Sequence, residues 1–142
     1  MKTFVLISCA SKKLTHTAKA KDLYVSQLFK LSLAYAQSLK PNAIFILSAK
    51  HGLMGLEDEI KPYEETLLVM AASQRRAWAE KVLQELRQQA DIQADHFVFL
   101  AGRKYIEYIV PHLVSFEVPL DDLTIGRRLQ WLSNHLDGRS DA

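Results

Sequence analysis

The chain has 142 residues, 49 % of them apolar and 24 % charged, with a formal net charge of +2 at neutral pH. That is the length of one domain, residues 1–142, with enough apolar surface for one core, and the balance fits neither a disordered nor a membrane class. So small an excess of positive charge means that any affinity for nucleic acid has to come from a local basic patch.

The opening "MKTFVLISCASKK" carries one early Lys and a short apolar stretch that Ser11, Lys12 and Lys13 follow at once, so it reads as a first strand and not as a leader. Thr3 to Ser8 is that strand, apolar and β-branched. Tyr24, Leu28, Leu31, Tyr35 and Leu39 recur at three- and four-residue spacing and predict a helix ending before Pro41. Ala43 to Ser48 is a second buried strand. Residues 53 to 72 show weak periodicity and read as a long loop, of the kind that forms lids and binding rims. Ser73 is the expected N-cap of a helix with Ala77, Trp78, Val82 and Leu86 on its core face. His96 to Ala101 is a third strand, Gly102 opens a short helix through Tyr105, Ile106 and Ile109, and Val114 to Val118 is a fourth strand. Thr124 caps a final helix with Ile125, Leu129, Leu132 and Leu136 on its apolar face. There is no internal repeat, no low-complexity segment and no linker. No apolar run approaches the roughly 20 residues that a bilayer span requires. The one cysteine, Cys9, excludes an internal disulfide framework and suits a reducing cytoplasm, the expected location.

Strands alternating with helices predict an α/β fold of three layers, with a mainly parallel central sheet of about four strands flanked by helices. Ligands of such sheets bind beyond the carboxyl ends of the strands. Here those ends are Ser8-Cys9-Ala10-Ser11-Lys12-Lys13, Ser48-Ala49-Lys50-His51-Gly52 and Ala101-Gly102-Arg103-Lys104, all small-residue-rich and basic.

In the first, Ser8, Cys9 and Ser11 offer two hydroxyls and a thiol, and Lys12 or Lys13 a point charge for a phosphate. The bland alternative is a solvated loop with Cys9 as a small buried hydrophobe. In the second, Lys50 suits a phosphate, His51 supplies an imidazole, and Gly52 lets backbone approach a ligand; a His beside a Gly is otherwise a turn residue. Pro62 fixes the backbone before Tyr63, which is placed to stack on a base or sugar, with Glu64 beside it; otherwise Tyr63 is core. Gly102 opens a helix whose first amides favour an anion. Arg127 and Arg128 stand in the first turn of the last helix, where they oppose the dipole by roughly 0.3–1 kcal/mol each, a hint of an anionic partner such as DNA phosphate. Zinc-ligand spacing, a Walker motif and a nucleophile elbow are all missing from the sequence, so no metal and no cofactor is expected.

Three separated stretches carry a resemblance: "LISCASKK" with "KDLYVSQLF", then "ILSAKHGLMGLEDEIKPYEETL", then "FVFLAGRKYIEYI". They resemble the small bacterial and phage family catalogued as DUF6884, and the likeness extends to the "LTIGRRLQWL" tail. More distantly the order of motifs is similar to the peroxide-stress family YaaA. There Ser8 and Lys12 match its first motif, with Cys9 in place of proline and one extra residue. Ser48 and Gly52 match the second, with His51 in place of tyrosine, and Pro62, Tyr63 and Tyr105 match the later ones. The first motif is also similar to a Cys-Ser-x-x-Lys loop in a domain of archaeosine synthase. What the resemblance implies is a YaaA-like, uracil-DNA-glycosylase-like fold and a link to DNA binding and oxidative damage, with Tyr105 among the substrate contacts. YaaA carries a helix-hairpin-helix insertion for which this chain is too short.

The expected function is a nucleobase- or nucleotide-binding protein acting on damaged or modified DNA, a glycosylase-like hydrolase of the N-glycosidic bond. In that scheme Tyr63 stacks on the base and His51 or Lys50 bonds the departing anion. Glu64 orients water or stabilises the sugar cation, and Lys12 is an alternative amine nucleophile. The alternatives are a non-enzymatic stress-response module that binds DNA or nucleotide, and a hydrolase or transferase of free nucleosides. The small size makes the pocket open, or shared with a second copy in a homodimer.

Overall fold

Phe4, Val5, Leu6 and Ile7 are all buried, so the first strand, β1 (Thr3–Ser8), has no solvent face. A strand covered on both sides belongs at the centre of a sheet between two layers of helices, and that is where β1 lies. The computed structural model describes residues 1–9 and 13–140, the side chains of 137–140 apart. After β1 come β2 (Ala18–Lys19), α1 (Ala20–Leu23), α2 (Gln27–Ser38), β3 (Ala43–Ser48), β4 (Gly52–Gly55) and β5 (Glu59–Ile60). The chain continues through α3 (Ala72–Gln89), β6 (His96–Leu100), α4 (Arg103–Ile106), β7 (Ser115–Glu117) and α5 (Ile125–Ser140), with short 3₁₀ turns at Leu67–Val69 and Val110–His112.

The main sheet has five strands in the order β4-β3-β1-β6-β7, and β2 pairs with β5 in a separate two-stranded ribbon. β1 runs parallel to β3 and to β6, and β6 parallel to β7; only the edge strand β4 is antiparallel. The fold is thus α/β with a mainly parallel sheet, one strand larger than the pattern predicts. The added strand is β4, within the segment expected to be a loop. It folds back on β3 through residues 49–51, and Gly52 closes the turn at φ +76°, a left-handed conformation that glycine adopts without a Cβ penalty.

Period-two alternation sends Phe4, Leu6, Phe45, Leu47, Phe97 and Phe99 to one face of the sheet, against Trp78, Ala79, Val82, Leu83 and Leu86 of α3. Val5, Ile7, Ile46, Val98 and Leu100 face the other way, onto Phe29, Tyr35 and Ala36 of α2 and Leu132 of α5. Three helix details differ from the pattern. Ser26 caps α2, its side chain accepting the Phe29 N–H, so Tyr24 precedes the helix instead of opening it. Helix α3 starts before Ser73, with Gln74 reaching back to accept the Ala71 N–H at 2.9 Å, and Ala77 is exposed while Ala79 and Leu83 fill the core. Thr124 does cap α5, accepting the Arg127 N–H at 3.3 Å. Among the described residues no helix is long and apolar enough to cross a membrane.

The order of strands locates the binding crevice. From β1 the chain goes to β3 on one side, then jumps across β1 to β6 and continues outward to β7. Helix α2 packs on one face of the sheet and α3 on the other, so the topological switch point lies between the carboxyl ends of β1 and β6.

Candidate functional site

A cleft of about 340 Å³ opens at that switch point. Its floor is Ile7, Ser8 and Cys9 from β1 and its extension, with Leu100 and Ala101 from β6. One wall is the start of α2, with Ser26, Leu28, Phe29 and Ser32; the other is Leu120 with Ile125 and Arg128 of α5. Leu68 and Ile125 stand at the rim, 64 % and 65 % exposed. The volume lies in the usual range for small-molecule pockets, and the lining has their composition: mostly apolar, with a few hydroxyls and one cation. Among the described residues the lining includes no carboxylate and no imidazole.

Cys9 ties the cleft to its surroundings. Its backbone N–H donates to Leu47 O at 2.9 Å, and its Sγ lies 3.3 Å from the Tyr105 hydroxyl. Tyr105 is buried and sets its ring edge-on against Trp78 at 5.8 Å. Beyond it, at the end of β3, a chain of buried polar groups joins four segments. Ser48 Oγ donates to the Tyr63 hydroxyl at 2.8 Å, and the Tyr63 hydroxyl bonds to that of Tyr24. The His51 N–H donates to Ser48 Oγ at 3.0 Å, and Trp78 Nε1 donates to Ser48 O at 2.8 Å. Burial pushes the phenols of Tyr24, Tyr63 and Tyr105 well above the ordinary tyrosine value, so all three stay protonated hydrogen-bonding groups.

This chain of bonds changes how the motif residues are read. Tyr63 is 5 % exposed, with Lys13 Nζ 4.5 Å from its ring centroid and the His51 ring edge-on at 5.4 Å. No ring face is left to stack on a base, so the stacking role expected of Tyr63 is replaced by that of a strut holding β3. Ser48 belongs to the same strut and does not line the cleft. Gly52 serves the hairpin: an added Cβ would meet Glu85 Oε1, so its surroundings are protein and not an open approach for a ligand. Lys50 is exposed, and Glu64 is exposed and outside the cleft. His51 is half-buried; burial first, then the positive charges of Lys50 and Lys81, hold its imidazole below the ordinary histidine value, so it is neutral at neutral pH.

At the third strand end the cations are engaged. Arg103 binds Asp121 at 3.1 Å and also Asp122, and Lys104 Nζ donates to Leu68 O at 3.2 Å. Helix α4 has only four residues, too short for the anion site expected at Gly102. Gly102 sits instead beside Arg128, whose Nη1 would be 3.9 Å from an added Cβ. Arg127 is exposed outside the cleft, whereas Arg128 lines it. Ser8 and Cys9 also line it, while Ser11 and Lys12 lie outside the described residues. The pattern missed Ser26, Ser32 and Phe29 as lining residues. One signal was available: Ser32 interrupts an otherwise apolar helical stripe.

Residues 4–134 match the family model described as "Family of unknown function (DUF6884)". The chain belongs to the DUF6884 family. No curated protein and no solved structure matches it, and the more distant likeness to YaaA has no support from these comparisons. The matched region of this DUF6884 chain takes in the whole main sheet but for Thr3, and every described residue of the cleft lining.

Proposed function

We propose that this DUF6884 protein binds a nucleobase or nucleotide, in damaged or modified DNA, through the cleft between β1 and β6. The observation that carries the reading is the cleft itself: a largely apolar slot at the switch point of a parallel sheet, edged by hydroxyls and one arginine. The α/β layering is compatible with a YaaA-like or uracil-DNA-glycosylase-like architecture, which is part of the proposal. Binding is the reading best supported, because catalysis of base release calls for an acid, a base or a nucleophile at the bond; Glu64 and His51 are not in the described lining, and Lys12 lies outside the described residues. Hydrolysis of the N-glycosidic bond is the second reading, favoured by the neutral imidazole of His51 at the end of β3.

Cys9 provides the test. It is the one cysteine of the chain and it lines the cleft, so occupancy is read as protection of its thiol from alkylation. Wild-type protein is treated with N-ethylmaleimide and increasing deoxynucleotide or single-stranded DNA, and the adduct is counted by intact mass. Saturable protection is the expected result; an alkylation rate unmoved by every nucleoside, nucleotide and oligonucleotide refutes the proposal. A panel of duplexes with oxidised, deaminated and hypermodified bases then separates the two readings. Abasic sites lost in His51→Ala, Lys12→Ala or Glu64→Gln establish hydrolysis, and binding without release establishes the module.

A further inference from the structure

We infer that the cleft is shaped for a nucleoside monophosphate unit, with the ring against Phe29, Leu100 and Leu120 and the phosphate at Arg128. This rests on the nucleotide reading above and adds to it the place and the charge of the second half of the ligand.

Arg128 is the first observation. It is half-buried in the cleft wall, and its Nε donates to Leu123 O at 3.0 Å, which fixes the stem and leaves the two Nη groups unspent by that bond. Among the described residues no carboxylate lies within ion-pair distance of it; the neighbouring Asp121 and Asp122 both pair with Arg103. A partly desolvated guanidinium without a counter-ion is costly, and a phosphate at its fork offsets that cost with two parallel hydrogen bonds.

Ser32 is the second, and it is independent of the first. It is 2 % exposed as a residue and lines the cleft from the second turn of α2. Helix serines commonly bond back to a carbonyl of the preceding turn, as Ser38 does to Tyr35 O at 2.6 Å. Among the described residues no buried side-chain nitrogen or oxygen lacks a partner, so the Ser32 hydroxyl is a polar group open to the cleft, placed to meet a polar edge of a bound ring. The first turn of α2 faces the same space. Ser26 and Leu28 line it, and Gln27 and Leu28 are the first two residues of the helix, whose amides have no intrahelical acceptor. The start of α5 lies beside Arg128, the described cleft lining has no carboxylate, and Asp121 and Asp122, which share a neighbouring groove with Arg128, are both paired with Arg103.

The same chemistry comes from a free nucleotide or from a nucleotide turned out of a strand. Calorimetric titrations compare thymidine and deoxyadenosine with their 5′-monophosphates and with a 5′-phosphorylated single-stranded pentamer. The proteins are wild type, Arg128→Gln, Arg128→Lys, Ser32→Ala and, as a surface control, Arg76→Gln. The monophosphates are expected to bind about ten- to a hundredfold tighter than the nucleosides, the range of charge-assisted hydrogen bonds. Arg128→Gln removes that preference, Arg128→Lys restores part of it, and Arg76→Gln keeps it. Ser32→Ala weakens nucleosides and nucleotides alike while the melting temperature of the free protein holds. A pentamer that binds more tightly than the free monophosphate places the source in a strand; the reverse order places it in solution. Nucleoside and monophosphate binding equally, or Arg128→Gln leaving the preference intact, overturns the inference and leaves the nucleotide reading standing. Failure of every ligand overturns both.

Discussion

Replacing Tyr63 with phenylalanine isolates the polar strut from the packing around it. The ring stays, so the apolar area buried is unchanged and the hydrophobic contribution cancels between the two proteins. What goes is one hydroxyl that accepts from Ser48 Oγ at 2.8 Å and bonds to Tyr24. Ser48 and Tyr24 are 0 % and 1 % exposed, so the groups left behind have no route to solvent. Ser48 Oγ still accepts from the His51 N–H, so the Ser48 O–H and the Tyr24 hydroxyl are the groups that lose a partner, at about 1–3 kcal/mol each, part of it recovered where they turn toward one another. The expected loss is about 2–4 kcal/mol, against a typical total of roughly 5–15 kcal/mol for a domain. Urea unfolding followed by tryptophan fluorescence measures it, with Tyr108→Phe as the control, since the half-buried Tyr108 meets Arg76 through its ring. The control is expected within about 0.5 kcal/mol of wild type. A Tyr63→Phe midpoint equally close to wild type refutes the strut and reopens Tyr63 as a ligand-facing side chain.

Gly52→Ala puts a Cβ on a residue at φ +76° and against Glu85 Oε1, the acceptor for the Leu53 N–H; a loss of about 1–3 kcal/mol is expected in the same unfolding assay. His51 is expected to titrate below 6.5 by NMR. Because the unfolded chain takes up that proton first, stability falls as pH drops from about 6.5 through the folded value, and His51→Gln makes the fall shallower. Asp95 accepts the Asp91 and Lys2 N–H groups at 2.9 and 3.0 Å, which hold its carboxyl below the ordinary value. Its contribution is present above the unfolded value and lost as pH falls through the folded one. Asp95→Asn is therefore expected to be less stable than wild type near neutrality, with the gap closing in acid; a gap independent of pH refutes the assignment.

The parallel core was legible because its strands are apolar on both faces: "TFVLIS", "AIFILS" and "HFVFL" each appear as unbroken runs. The hairpin strand β4 was not, since "GLMG" has two glycines and only four residues, too short to show a period. The helix capped by Ser26 reads three residues too long in the sequence because Tyr24 continues the spacing of its apolar face while belonging to a different segment. The placement of the site at strand ends followed from the α/β pattern, and Ser8, Cys9 and Arg128 do line the cleft. The roles given to Ser48 and Tyr63 did not follow, because a hydroxyl that holds two backbone segments together and one that holds a ligand look alike in sequence. Burial and partner geometry separate them.

β1 precedes both of its partners in the chain and is the middle strand of the main sheet. Its edge toward β3 is paired once Ser48 is in place, but its other edge waits for His96–Leu100, a full domain-half later in the chain. At ribosomal speeds that interval is on the order of seconds, far longer than hairpin or helix formation. During it the nascent chain carries a two-sided apolar strand with an open row of backbone donors and acceptors. That is the chemistry which holdase chaperones recognise and which pairs wrongly with a neighbouring copy. A chain cut before residue 96 is thus expected to persist as a sticky β-α-β fragment, and the protein's yield in the cell to depend on how fast its second half is made.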